Sequence, residues 1–115
     1  MGLFQSKTER EMIFMLYEEA EALRVETTFW QDFSIAEIFG LKAVQDTFER
    51  AFKEWRSDYR YLTELVMTLN HKCWAWYDKD DDLARLYNDL FFEADAWACD
   101  NLEGEELSFF YRVTD

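Results

Sequence analysis

DYRYLTELVMTLNHKCWAWY, residues 58–77, decides how the rest of the chain is read. Leu62, Leu65, Val66, Leu69, Cys73 and Trp76 recur at three- and four-residue spacings, the pattern of one helical face. Tyr59, Tyr61, Met67, Trp74 and Tyr77 add apolar mass on the other sides. A helix that is apolar nearly all round is buried among other helices. The stretch is therefore expected to be the central helix of an all-α domain. Ser57 or Asp58 is expected to cap its start, and the aspartate run at 78–82 to end it.

Outward from this helix, the composition points the same way. The 115 residues include no proline and only three glycines, Gly2, Gly40 and Gly104. Sheet proteins need more turn residues than that, so long helices with short connections are expected. Half the residues are hydrophobic and 19% are aromatic, enough to fill a core and to exclude wholesale disorder. No apolar run is long enough to span a bilayer, and no signal-peptide segment follows Lys7 and Arg10. A cytoplasmic location is expected. Cys73 and Cys99 each sit in an apolar helical context and read as buried free thiols.

Towards the N-terminus, Leu41, Val44, Phe48, Ala51, Phe52 and Trp55 mark a helix ending near Arg56. Its outer face offers the i,i+4 pairs Asp46–Arg50 and Glu49–Lys53. Ser34 and Glu37 have capping-box spacing and predict a short helix with Ile35, Ile38 and Phe39 as its apolar side and Gly40 as its stop. ETTFWQDF at 26–33 breaks the pattern and reads as a connection, with Phe29, Trp30 and Phe33 anchoring it over the core. Ser6 and Glu9 form another capping box. Met12, Leu16, Ala20 and Leu23 then predict an amphipathic helix from about Lys7 to Val25.

Towards the C-terminus, Leu83, Leu86, Tyr87, Leu90, Ala94, Trp97 and Ala98 form one stripe, to about Asn101. Gly104 breaks it, and a last helix from Glu105 to Arg112 is expected to offer Leu107, Phe110 and Tyr111 to the core. The whole reads as one all-α domain over 1–115, a compact five- or six-helix irregular bundle around 58–77. Residues 33–115 form its core, and 1–32 are a candidate N-terminal extension.

Most catalytic equipment is missing. Asp78, Asp80 and Asp82 match three positions of a calcium loop, but Leu83 stands where glycine is required and Asp89 where a bidentate glutamate is required. A helix N-cap with surplus negative charge explains the run better. His71 is the single histidine, with Glu64 and Lys72 near it on the helix, which is too few for a zinc or di-iron set. No P-loop, dinucleotide turn or Gly-x-Ser-x-Gly is present. No catalytic, cofactor-binding or metal-ligating residue is assigned, and no cofactor is expected. A metal or carboxylate enzyme built on His71 or on the acids is the weakest reading.

Charge is the remaining signal. Residues 1–77 hold 13 acids and 9 bases, net −4; residues 78–115 hold 12 acids and 3 bases, net −9. Such a chain repels nucleic acid and anionic membranes, so a partner should be basic. The candidate contact residues are Asp78, Asp80, Asp81, Asp82, Asp89, Glu93, Asp95, Asp100, Glu103, Glu105 and Glu106. The aromatics Tyr87, Phe91, Phe92, Trp97, Phe109, Phe110 and Tyr111 are interleaved with them. A solvated acidic surface over a filled core accounts for each residue singly. Spaced carboxylates imitating phosphates, with aromatic anchors beside them, account for the net charge.

From about Phe33 onward the chain resembles small acidic proteins carried on phages and integrative conjugative elements of Gram-positive gut bacteria. FSIAEIFG at 33–40, DTFERAFKEWRSDYRYLTELVMTLNHK at 46–72 and NLEGEELSFFYRVTD at 101–115 carry the resemblance. It implies a role in element maintenance or transfer, or in counter-defence by blocking restriction or CRISPR machinery, and it supplies no site residues. The expected function is thus a non-enzymatic protein-binding module. Its expected partner is a basic host protein that binds nucleic acid, with no direct contact of this chain to nucleic acid or membrane. The alternative is a self-associating accessory protein that uses exposed aromatics such as Trp30 or Trp74.

Overall fold

The computed structural model describes residues 29–114 and places five α-helices and no strand among them. They are α1 (Phe29–Phe39), α2 (Leu41–Trp55), α3 (Tyr59–Trp76), α4 (Asp81–Asn101) and α5 (Gly104–Thr114). The expected helix at 7–25, its capping box and the 1–32 extension up to residue 28 lie outside the described residues.

Short connections follow from local chemistry. Gly40 has φ +112°, a region that L side chains rarely adopt, and its N–H donates to the carbonyls of Ala36 and Glu37 at 3.2 and 3.3 Å. Its own carbonyl accepts from Val44 N–H at 3.2 Å, so one residue closes α1 and opens α2. Asp58 caps α3 through Arg60 N–H at 3.1 Å. Asp80 caps α4 by accepting from the N–H groups of Asp82 and Leu83, each at 3.1 Å. The aspartate run is thus a helix start, with Asp81 and Asp82 in the positive first turn. Gly104, φ +59°, begins α5.

The stripe read at 62–76 does sit at the centre. Leu62, Leu65, Val66 and Leu69 are buried, Cys73 and Trp76 pack against the core, and α3 touches each of the other four helices. Val44, Phe48, Tyr87, Leu90, Ala94, Ala98 and Phe110 close the core around it. Phe33 and Tyr87 meet edge to face with ring centroids 5.7 Å apart. The all-α bundle around 58–77 is the observed architecture.

Several local expectations are corrected. Helix α1 starts at Phe29, so 29–33 is helix and not a connection. Phe29, Phe33 and Ala36, at i, i+4 and i+7, are buried and carry it into the core. Ser34 is no N-cap; its Oγ donates to the Trp30 carbonyl at 2.7 Å, one turn back. Ile35, Ile38 and Phe39, read as the core side, are 58%, 80% and 78% exposed. Tyr111 is exposed, leaving Phe110 and part of Leu107 to anchor α5. On α2 the ion pair that closes is Lys42–Asp46 at 3.5 Å, while Arg50 turns to Thr47. Among the described residues neither Asp46–Arg50 nor Glu49–Lys53 closes. Cys73 and Cys99 are free and half-buried, and burial raises the Cys73 thiol above its ordinary pKa.

Candidate partner-binding surfaces

Helix α4 turns Leu83, Tyr87, Leu90, Ala94 and Ala98 inward. That orientation decides where its acids go. Asp82, Asp89, Glu93 and Asp100 follow one another at steps of seven, four and seven residues. At 100° per residue these four fall within about 40° of one another, and at 1.5 Å per residue they span about 27 Å. All four are exposed. The arrangement is a single line of carboxylates along the outside of the helix.

The other acids are distributed around that line. Asp78 and Asp81 are exposed where α3 gives way to α4. They line a hollow of about 520 Å³ with Trp74, Tyr77, Arg85 and Asn88. Trp74 is 66% and Tyr77 58% exposed, and their rings lie 5.4 Å apart. Asp80 is occupied as the cap, and Asp95 lies off the line and is half-buried. Glu103, Glu105 and Glu106 are exposed at the turn into α5, beyond Asp100. Nine of the eleven candidates therefore form a line with a cluster at either end, and Asp80 and Asp95 stand outside it.

The aromatic anchors are not those the sequence suggested. Tyr87 and Phe110 are core residues, while Phe91, Trp97 and Phe109 are half-buried. Phe92 and Tyr111 do reach the surface. The most exposed aromatic pair, Trp74 and Tyr77, comes from the end of α3. Trp74 is one of the two aromatics the sequence offered as exposed; Tyr77 joins it because both lie off the Leu62–Trp76 face. Trp30, the other candidate contact, is half-buried, with the Lys72 ammonium 4.0 Å from its ring centroid.

The second polar feature was not foreseen. Lys72 is 2% exposed and reaches Glu37 Oε2 at 3.0 Å and Ser34 Oγ at 2.7 Å. Trp76 Nε1 donates to Glu37 Oε2 at 3.0 Å, and the Tyr87 hydroxyl donates to the same oxygen at 2.5 Å. Three helices thus meet at one carboxylate on α1 held by α3 and α4. A buried charge is tolerated only when paired and hydrogen-bonded, and Glu37 has an ammonium and two neutral donors. Burial pushes the Tyr87 phenol well above its ordinary pKa, and the hydrogen bond to Glu37 and its charge push the same way. The members satisfy one another, which marks a structural clamp and not an open reaction site.

His71 is exposed, whereas Glu64 and Lys72 beside it on the helix are buried. Among the described residues no group of three or more His, Cys, Asp or Glu is placed to hold a metal ion. No described helix is long and apolar enough to cross a membrane. No family model, curated protein or solved structure matches the chain.

Proposed function

We propose that the chain is a non-enzymatic protein-binding module of a mobile genetic element. On this reading the acidic line of α4 and its end clusters engage a basic, nucleic-acid-binding host protein and inhibit it, in the manner of an anti-restriction or anti-CRISPR protein. The observation that carries the reading is the placement of carboxylates where they cost stability. Asp89 and Glu93 are like charges at i,i+4, which disfavours the helix by a few tenths of a kcal/mol. Asp100 sits in the last turn of α4, which holds no base, so it opposes the negative end of the helix dipole. A surface tuned for stability alone would place lysine or arginine there.

Spacing limits what the line imitates. Along about 27 Å it offers roughly one carboxylate per 9 Å, against one phosphate per about 3.4 Å for a DNA strand. The line alone is too sparse to stand for a strand, so the clusters at 78–82 and 103–106 must share the contact. Trp74 and Tyr77 then supply the desolvated anchors at one end.

The test compares the full chain with a variant carrying Asp82→Lys, Asp89→Lys, Glu93→Lys and Asp100→Lys in capture from nuclease-treated host lysate. Expected is a basic nucleic-acid-binding protein that binds the parent chain, is displaced by DNA or RNA and by salt, and is lost from the variant. Helicity is retained, because none of the four side chains is buried. Equal capture by the reversed variant overturns the reading. Self-association is the second reading, favoured by the exposure of Trp74. A mass in light scattering that rises with concentration and reverts in Trp74→Ala would establish it.

A further inference from the structure

We infer that the groove between α1 and α2 is a second docking site, whose occupant is an amphipathic helix of another protein with large apolar side chains flanked by lysine or arginine. The site is independent of the acidic line: no residue of that line borders it.

The groove holds about 750 Å³. Its floor is made of small side chains. Ala36 comes from α1, and Ala43, Thr47 and Ala51 come from α2 at successive i,i+4 positions. Small residues in a row leave room for the close approach that helix packing requires. Ile35 and Phe39 form one wall and Trp55 stands on the other helix. Ile38, beside them on α1, and Leu41, beyond Gly40, extend the apolar surface and are themselves exposed. Contiguous exposed apolar surface of this kind marks interaction sites.

The apolar wall is not a loosely packed end that could rotate inward. Phe29, Phe33 and Ala36 hold the opposite side of α1 in the core, and Glu37 is clamped by Lys72, Trp76 and Tyr87. Turning Ile38 inward would draw Glu37 off its ammonium. The clamp thus presents Ile35, Ile38 and Phe39 to the outside.

Charge selects the occupant. Among the described residues, Asp32, Asp46 and Glu54 line the groove together with a single base, Arg50. Asp46 is engaged by Lys42, while Asp32 and Glu54 form no ion pair among the described residues. Two unpaired carboxylates beside an apolar trough match a helix with apolar anchors and cationic flanks. A second copy would bring the same carboxylates face to face, and the chain's net charge of −13 adds to that repulsion. An anionic membrane surface is opposed by the same charge.

The chain has three isoleucines, Ile13, Ile35 and Ile38, so isoleucine δ1-methyl NMR of the full protein reads the groove directly. The probe is a synthetic helical peptide with leucines at i, i+4 and i+7 and lysines on both flanks. Its partner probe carries glutamates in place of the lysines. Expected are saturable shifts of Ile35 and Ile38 with the basic peptide, weakened about tenfold or more in Phe39→Ser and in Asp32→Lys/Glu54→Lys. The fourfold α4 reversal should leave these shifts in place, so failure here and failure of the acidic line are read separately. Absence of shifts at about 1 mM basic peptide overturns the inference, as does equal binding of the glutamate peptide. Concentration-dependent shifts without any peptide would assign the groove to a second copy and also overturn it.

Discussion

Helices α1 and α4 are both apolar enough to be read as core helices, and they solve burial in opposite ways. Helix α4 turns its apolar stripe inward and its acids outward. Helix α1 carries apolar residues on two faces. It buries Phe29, Phe33 and Ala36 with the polar Glu37 between them and α3, and leaves Ile35, Ile38 and Phe39 outside. The difference teaches that an apolar face turns inward by default only when nothing else competes for the inside. On α1 a carboxylate with three partners on α3 and α4 competes, and it sets the rotation of the helix.

The sharpest way to break this comparison is a pair of substitutions on α1 six residues apart. Phe33 is fully buried, and Phe33→Ala should cost about 3–5 kcal/mol in urea unfolding. Phe39→Ala should change stability by less than about 0.5 kcal/mol, because its ring is already in water. Equal losses would mean that the outer face of α1 is covered after all.

The next effect concerns the clamp. Lys72→Met leaves the Glu37 carboxylate buried without its cation, at a cost of about 3 kcal/mol. That lies at the low end for a broken buried pair, since Trp76 and Tyr87 still donate to Glu37. The double variant Glu37→Gln/Lys72→Met should recover part of the loss, and the coupling in that cycle measures the pair. No coupling would mean that the rotation of α1 is set by Phe29 and Phe33 alone.

The smallest effect is pH-dependent. The Tyr87 phenol is held protonated in the folded chain, above its ordinary pKa of 10.0. Below pH about 10 both states keep the proton, and this residue's full contribution is present. As pH rises past about 10 the unfolded chain ionises first, so stability falls. Tyr87→Phe should cost about 1 kcal/mol near neutral pH and flatten the decline in stability above pH 10. An unchanged alkaline slope would show that other tyrosines carry it.

What could be read before the structure divides along the same contrast. The central helix, the stripes of α2 and α4, the stop at Gly40 and the cap at the aspartate run were all legible, whereas Gly104, read as the break after α4, is the first residue of α5. Each legible feature rests on local spacing or on a backbone angle that only glycine adopts easily. The outward line Asp82–Asp89–Glu93–Asp100 was latent in the same way, since four residues on one side of a helix need only its period. The capping box at Ser34 and Glu37 misled because the same two residue types serve equally well as acceptors for a distant lysine. Their spacing does not say which.

Sequence periodicity thus determined an all-α fold over the described residues, the limits of every helix but α1 to within a few residues and the outward placement of most of the acids. Those are matters of local geometry and of the cost of burying charge. Only the tertiary structure decided that Glu37 is inside, that Ile38 and Phe39 are outside and that a small-floored groove opens between α1 and α2. The physical reason is that Glu37 is stabilised by Lys72, Trp76 and Tyr87, residues 35 to 50 positions away along the chain. No local pattern records that three such partners converge on one carboxylate.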